Sequence, residues 1–196
     1  MAGPVRRADF TNSLVHLTRE RAKFDIEAFS DHIVASPFDV LKEILNAGLI
    51  RAGTGFVKGL QSVVCLSEIP LASMDEFAKQ VGDKSSSSRY RFYGIALNKQ
   101  TVFAAGGRPV IYIPDNEAGW IPSDQQWRQV RFEPPGVDWT HEREWRVPGD
   151  LDLTKVPGFY VIVWSAQEAK EISNLKCPVE KLIRGVLPME HLNMML

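Results

Sequence analysis

The chain has 196 residues, 44% hydrophobic and 24% charged, with a formal net charge of -1. That length favours one domain, residues 1–196, with a core of its own, and ten Phe with five Trp exclude an intrinsically disordered chain. Near-neutral charge removes the generic electrostatic case for nucleic-acid binding, a local basic groove aside.

Met1 to Phe10 lacks the apolar stretch of a signal peptide, and no run approaches the roughly eighteen apolar residues of a membrane span. A soluble, cytoplasmic protein with no membrane partner is expected. Cys65 and Cys177 are too few and too far apart for a disulfide framework or a Cys-based zinc site. Their apolar neighbours predict buried free thiols.

Ser13 to Thr18 alternates, Val15 and Leu17 against Leu14, His16 and Thr18, which predicts a first strand. Arg19 to Ala35 reads as helical, with Phe24, Ile26, Phe29 and Ile33 as its apolar positions. A clearer helix follows: Ser36 as N-cap, Pro37 at the first position, Asp39 completing a capping box, an apolar stripe of Phe38, Leu41, Ile44 and Leu45, and Gly48 as the stop. Gly53, Gly55 and Gly59 precede a strand, Ser62 to Ser67, so they do not match the dinucleotide fingerprint, which requires a helix there. A short helix is expected around Met74 to Val81, and residues 82–89, with four consecutive serines at Ser85 to Ser88, read as a mobile surface loop. Further strands are expected at Phe92 to Leu97, Pro109 to Pro114, Val130 to Phe132, Glu142 to Val147, Phe159 to Trp164 and Leu182 to Leu187. A Pro134-Pro135-Gly136 turn and a Ser165–Glu168 capping box, opening a helix to Ser173, complete the pattern. Strands outnumber helices and mostly lack helical crossovers. The fold class is therefore α+β, with a mostly antiparallel or mixed β-sheet flanked by helices.

The chemistry concentrates in His141-Glu142-Arg143-Glu144-Trp145-Arg146. If extended, it places Glu142, Glu144 and Arg146 on one face, and Arg143, Trp145 and Val147 on the other, Trp145 and Val147 facing the core. The polar face is either a solvated strand surface on which Arg146 pairs with Glu144, or a cleft in which Arg146 steadies the carboxylates and one Glu acts. His16 is either a satisfied structural histidine or a ligand contact, with Thr18 on its face. Ser67 is a site hydroxyl or a strand cap. At Tyr93-Gly94 the missing side chain would allow close approach of a ligand.

In order along the chain, Leu14-Val15-His16-Leu17-Thr18, Ile44-Leu45-Asn46-Ala47-Gly48-Leu49, Val64-Cys65-Leu66-Ser67-Glu68-Ile69-Pro70, Tyr93-Gly94-Ile95, Pro109-Val110-Ile111-Tyr112 and Glu142-Arg143-Glu144-Trp145-Arg146 resemble bacterial abortive-infection, phage-resistance proteins of the AbiGi type. The early part is similar to DarT-like transferases, and the whole resembles the ADP-ribosyltransferase fold. The resemblance implies a split sheet and NAD as substrate. It implies that His16 contacts the adenosine-side ribose, with Thr18 beside it, and that Ser67 positions the nicotinamide half. Tyr93 or Tyr112 would stack on the nicotinamide ring. Glu144 would bond the nicotinamide ribose and stabilise positive charge, and Glu142 would orient or activate an acceptor, protein or nucleic acid. A cognate antitoxin or toxin is the further partner implied, and no metal is.

Other readings stay open. The fold can serve a non-catalytic, partner-binding defence protein, with the exposed-looking Trp120, Trp127 and Trp139 beside Arg128 and Arg131 as its surface. A metal-dependent hydrolase would draw on His16, His141, Glu142 and Glu144, although no helical His-Glu-x-x-His is present. Arg89-Tyr90-Arg91-Phe92-Tyr93 interleaves basic and aromatic residues as single-stranded nucleic-acid binders do.

Overall fold

The alternation at the start of the chain forms a strand, β1 (Ser13–Leu17), in the computed structural model, which describes residues 11–25, 30–70, 73 and 93–190. The segment expected as a helix at Arg19 to Ala35 is instead an antiparallel pair, β2 (Arg21–Asp25) and β3 (Ser30–Ala35). Arg21, Lys23 and Asp25 alternate with Ala22 and Phe24, the period of a strand, and that local period prevails over the spaced apolar residues.

The next helix, Pro37–Ala47, forms for the reasons its sequence gives. Ser36 Oγ accepts from Asp39 N–H while the Asp39 carboxylate caps Ser36, and Gly48 closes the helix at φ 64°. Leu41 and Leu45 are fully buried against the sheet, contributing about 1.5–3 kcal/mol each. The remaining strands are β4 (Leu49–Ile50), β5 (Val63–Ser67), β6 (Gly94–Asn98), β7 (Arg108–Pro109), β8 (Ile111–Ile113), β9 (Gln129–Arg131), β10 (Glu144–Pro148), β11 (Leu151–Asp152), β12 (Phe159–Val163) and β13 (Ile183–Pro188). Short helices follow β6 at Lys99–Ala104 and β12 at Ala166–Ser173, the second with the expected Ser165–Glu168 capping box. The stretch expected as one strand at Pro109 to Pro114 is two, β7 and β8, which join different sheets.

The main sheet has seven strands in the order β13-β12-β6-β1-β5-β10-β7. Every neighbouring pair is antiparallel except β12–β13, which the helix Ala166–Ser173 connects as a crossover. The chain is thus α+β with a mixed, mostly antiparallel sheet. β1 registers with β6 from Ser13–Asn98 to Leu17–Gly94, and β10 with β5 from Glu144–Ser67 to Pro148–Val63. Between these two ladders β1 and β5 meet at one pair alone, Val15 with Ser67. The sheet is continuous, but its pairing thins to this one position between β1 and β5, a split in the ladder rather than a gap between strands.

One face of the sheet carries the larger core, in which Leu14, Val64, Leu66, Ile95, Leu97, Val147 and Val161 pack on Leu41 and Leu45. The other face carries a smaller cluster of Val15, Ile69, Ala96, Ile162 and Met189. The expected helix at Met74 to Val81, the loop 82–89, Arg89 to Phe92 and the tail beyond residue 190 lie outside the described residues.

Candidate functional site

Register decides which side chains meet. Glu144 stands opposite Ser67 and Arg146 opposite Cys65, so these four share one face of β5 and β10, while Trp145 and Leu66 point into the core. On that face Arg146 is buried. Its Nε–H donates to Glu144 Oε1 at 2.9 Å and its Nη2 to Oε2 at 3.3 Å, and Nη1 donates to the carbonyls of Trp127 at 2.6 Å and Gln129 at 3.2 Å. The pair expected on a solvated strand face exists, but it is enclosed, with side-chain exposures of 6% for Arg146 and 17% for Glu144. Every guanidinium nitrogen is used, as a buried charge requires.

Glu142 arrives by another route. The strand expected from Glu142 begins only at Glu144, because Thr140–Glu142 is a 3-10 turn and Arg143 adopts φ 45°, ψ 50°. A left-handed conformation costs a non-glycine residue about 1–2 kcal/mol. The turn brings the Glu142 carboxylate over β5, where Ser67 Oγ–H donates to Oε2 at 3.2 Å. His141 Nε2 lies 3.9 Å from the other oxygen, and its ring is 5.9 Å from that of Trp139. From the opposite side Tyr112, on β8, accepts the Glu144 backbone N–H at 3.0 Å. Burial, then the charges of Glu144 and Glu142, hold the Tyr112 phenol above its ordinary pKa, against the pull of that hydrogen bond.

His16 lies at the split. Its Nδ1 is 2.9 Å from the Cys65 carbonyl oxygen, which only accepts, so Nδ1 carries the proton and the neutral ring presents Nε2 as an acceptor. The ring keeps some exposed surface but sits deep among protein atoms, and desolvation holds its pKa below 6.5. By alternation His16 projects on the Leu14 face, opposite to Ser67 and Glu144, and its bond to the Cys65 carbonyl is what ties it to β5. Cys65 is not the buried thiol expected. Its side chain is exposed on the polar face and interacts with both Glu144 and Arg146. Cys177 is half-buried against the larger core.

Two expected site residues stand apart from this group. Tyr93 packs beside Phe38 at 5.6 Å between ring centres, and its hydroxyl donates to Glu168 at 2.7 Å, on the helix-covered face. Thr18 is buried, its hydroxyl 2.8 Å from the Pro37 carbonyl and its N–H donating to the Tyr93 carbonyl at 2.8 Å. Thr18 fastens the end of β1 to the helix start. The close approach at Gly94 is by β1 rather than by a ligand, since a Cβ there would collide with the His16 carbonyl. Of the three tryptophans expected on the surface, Trp120 and Trp139 are exposed, whereas Trp127 is buried with Nε1–H donating to the Asp124 carbonyl.

The structure thus brings together Ser67, Tyr112, Glu142 and Glu144, with Cys65 and Arg146 among them, whereas His16 stands on the other face of the sheet and meets this group through the Cys65 carbonyl alone. On the β5–β10 face one carboxylate is fixed by Arg146 and a second lies beside a hydroxyl, while the imidazole acceptor is on the other face of the sheet. The carbonyls of Trp127 and Gln129 that seat Arg146 carry no residue-type signal and were not foreseeable from the sequence. Among the described residues no group of three or more His, Cys, Asp and Glu is placed to hold a metal, and no helix is long and apolar enough to cross a membrane. No protein-family model, curated protein or solved structure matches the chain.

Proposed function

We propose that the chain is an NAD-dependent ADP-ribosyltransferase-like protein of bacterial phage defence or a toxin–antitoxin pair, acting in the cytoplasm on a protein or nucleic-acid acceptor. One observation carries the reading. The strands bearing His16, Ser67 and Glu144 are far apart in sequence yet lie side by side as β1, β5 and β10, with pairing reduced to one position between the first two.

The chemistry follows from these groups. His16 Nε2 accepts a ribose hydroxyl of the adenosine half, and Ser67 and Tyr112 bound the nicotinamide half. As the C1′–N bond breaks, its electron pair leaves with nicotinamide and positive charge grows on the ribose. The Glu144 carboxylate, held by Arg146, needs no reorganisation to stabilise that charge. Glu142, pivoting from Ser67, takes the proton of the acceptor nucleophile as the new C1′ bond forms.

A non-catalytic, partner-binding protein on the same fold is the second reading. It is favoured by the engagement of both Glu144 oxygens with Arg146. Calorimetry with NAD on the wild type and His16→Ala, followed by nicotinamide release from the wild type and Glu144→Gln, separates the two. Saturable binding weakened about tenfold by His16→Ala, with release lowered at least about a hundredfold by Glu144→Gln, is expected of the enzyme. Absence of binding at millimolar NAD removes the transferase reading, and binding without release leaves the partner-binding one.

A further inference from the structure

On the face opposite the carboxylates, the residue after Ser67 makes contacts that the proposed chemistry does not use. Glu68 is largely enclosed, with a side-chain exposure of 12%. Its Oε1 lies 2.7 Å from Lys99 Nζ and 3.5 Å from Arg143 Nη2, its Oε2 accepts from Trp145 Nε1–H at 3.1 Å, and its backbone N–H donates to the Arg143 carbonyl at 3.2 Å. Lys99 opens the helix Lys99–Ala104, and its own N–H donates to Asn12 at 2.7 Å. One carboxylate therefore ties the end of β5, the start of that helix and the start of β10.

The residues it grips are Arg143 and Trp145, the two that flank Glu144. Arg143 also holds the left-handed conformation that separates the Glu142 turn from the strand. Drawing the side chains of residues 143 and 145 toward Glu68 leaves 142 and 144 to the Ser67 face. We propose that Glu68 is a positioning residue that holds Arg143 left-handed and so fixes the Glu142–Glu144 pair. The inference rests on the reading of that pair given above for its functional meaning, though not for its geometry.

Glycine supplies the test, because it adopts a left-handed conformation without an anchor. The geometric readout is hydrogen exchange at the Glu144 amide, which Tyr112 accepts, compared with amides of β12. In Glu68→Gln the Glu144 amide is expected to exchange about tenfold faster while β12 amides stay within about twofold, and adding Arg143→Gly is expected to restore slow exchange. Nicotinamide release should fall about tenfold in kcat with KM unchanged in the single variant, and recover in the double. Should Glu68→Gln fail to fold, Lys99→Gln, which removes the nearest partner, takes its place with a smaller effect of the same sign. Unchanged exchange at Glu144, equal acceleration in β12, or no recovery with glycine each overturns the proposal. A wild type that releases no nicotinamide ends the transferase reading, and the exchange pattern then decides the role of Glu68 alone.

Discussion

Cys65 shows how far one side chain reports on its neighbours. Part of it meets solvent, yet the surrounding protein and then the Glu144 carboxylate push its thiol pKa from 9.0 up to about 12, with Arg146 acting in the opposite direction. A rise from 9.0 to about 12 lowers the thiolate fraction about a thousandfold at neutral pH. Alkylation needs the thiolate, so Cys65 should react with iodoacetamide at pH 8 at least about tenfold more slowly than a free small thiol, despite its accessibility. Neutralising Glu144 removes a negative charge and leaves the Arg146 cation, so the pKa falls and the thiolate grows. Glu144→Gln is therefore expected to label several-fold faster, read by mass spectrometry of the peptide carrying residue 65. An unchanged rate would mean that the Glu144 charge does not bear on the sulfur, and the site would need redrawing.

Elements were legible where their signals are local. The helix Pro37–Ala47 has its cap, first-turn proline and glycine stop within its own sequence, and it forms as those residues dictate. The alternation of Glu144 to Val147 likewise gave the correct faces, with Trp145 and Val147 toward the core. Arg19 to Ala35 misled because spaced apolar residues satisfy a helical pattern while charge alternation satisfies a strand, and pairing between β2 and β3 decides the outcome. Tyr93 is not legible in the same way: the glycine beside it marks a close approach without saying by what, and only the assembled layers show that the ring meets Phe38 and the hydroxyl Glu168. The enclosure of Arg146 was hidden too, since its acceptors are backbone carbonyls. Gly94 carries the same lesson in a testable form. A methyl group at this position meets the His16 carbonyl, and Leu17 Cα at 3.3 Å, so β1 must move away from β6. Gly94→Ala is expected to cost about 1–3 kcal/mol in urea denaturation, and to weaken NAD binding by displacing His16. Full stability in this variant would show that β1 yields freely at the split.

Across the whole molecule, the buried arginine is one of several ties, with Arg128 to the Pro109 carbonyl and Lys58 to Asp115, between the main sheet side and the segment beside it. Residues 115–131 form two 3-10 turns and β9, outside the main sheet, and Arg146 joins them to β10 through the Trp127 and Gln129 carbonyls. The same guanidinium neutralises Glu144, so fold and site draw on one charge. A buried pair of this kind stabilises little compared with well-packed apolar side chains, yet removing one partner leaves the other charged, desolvated and unpaired. Arg146→Met strips two carbonyls and one carboxylate of their donor and should cost about 3–5 kcal/mol. The double variant Glu144→Leu with Arg146→Met removes the stranded charge and should recover at least about 1–2 kcal/mol of that loss. Denaturant unfolding of both variants checks this, and NAD binding by the double variant completes the argument. Recovery of stability without recovery of binding is the expected result, because it separates what the pair does for the fold from what it does for the site. Equal stability in the single and double variants would mean that Glu144 is well solvated without Arg146, and that the carboxylate is not held where the proposed chemistry needs it.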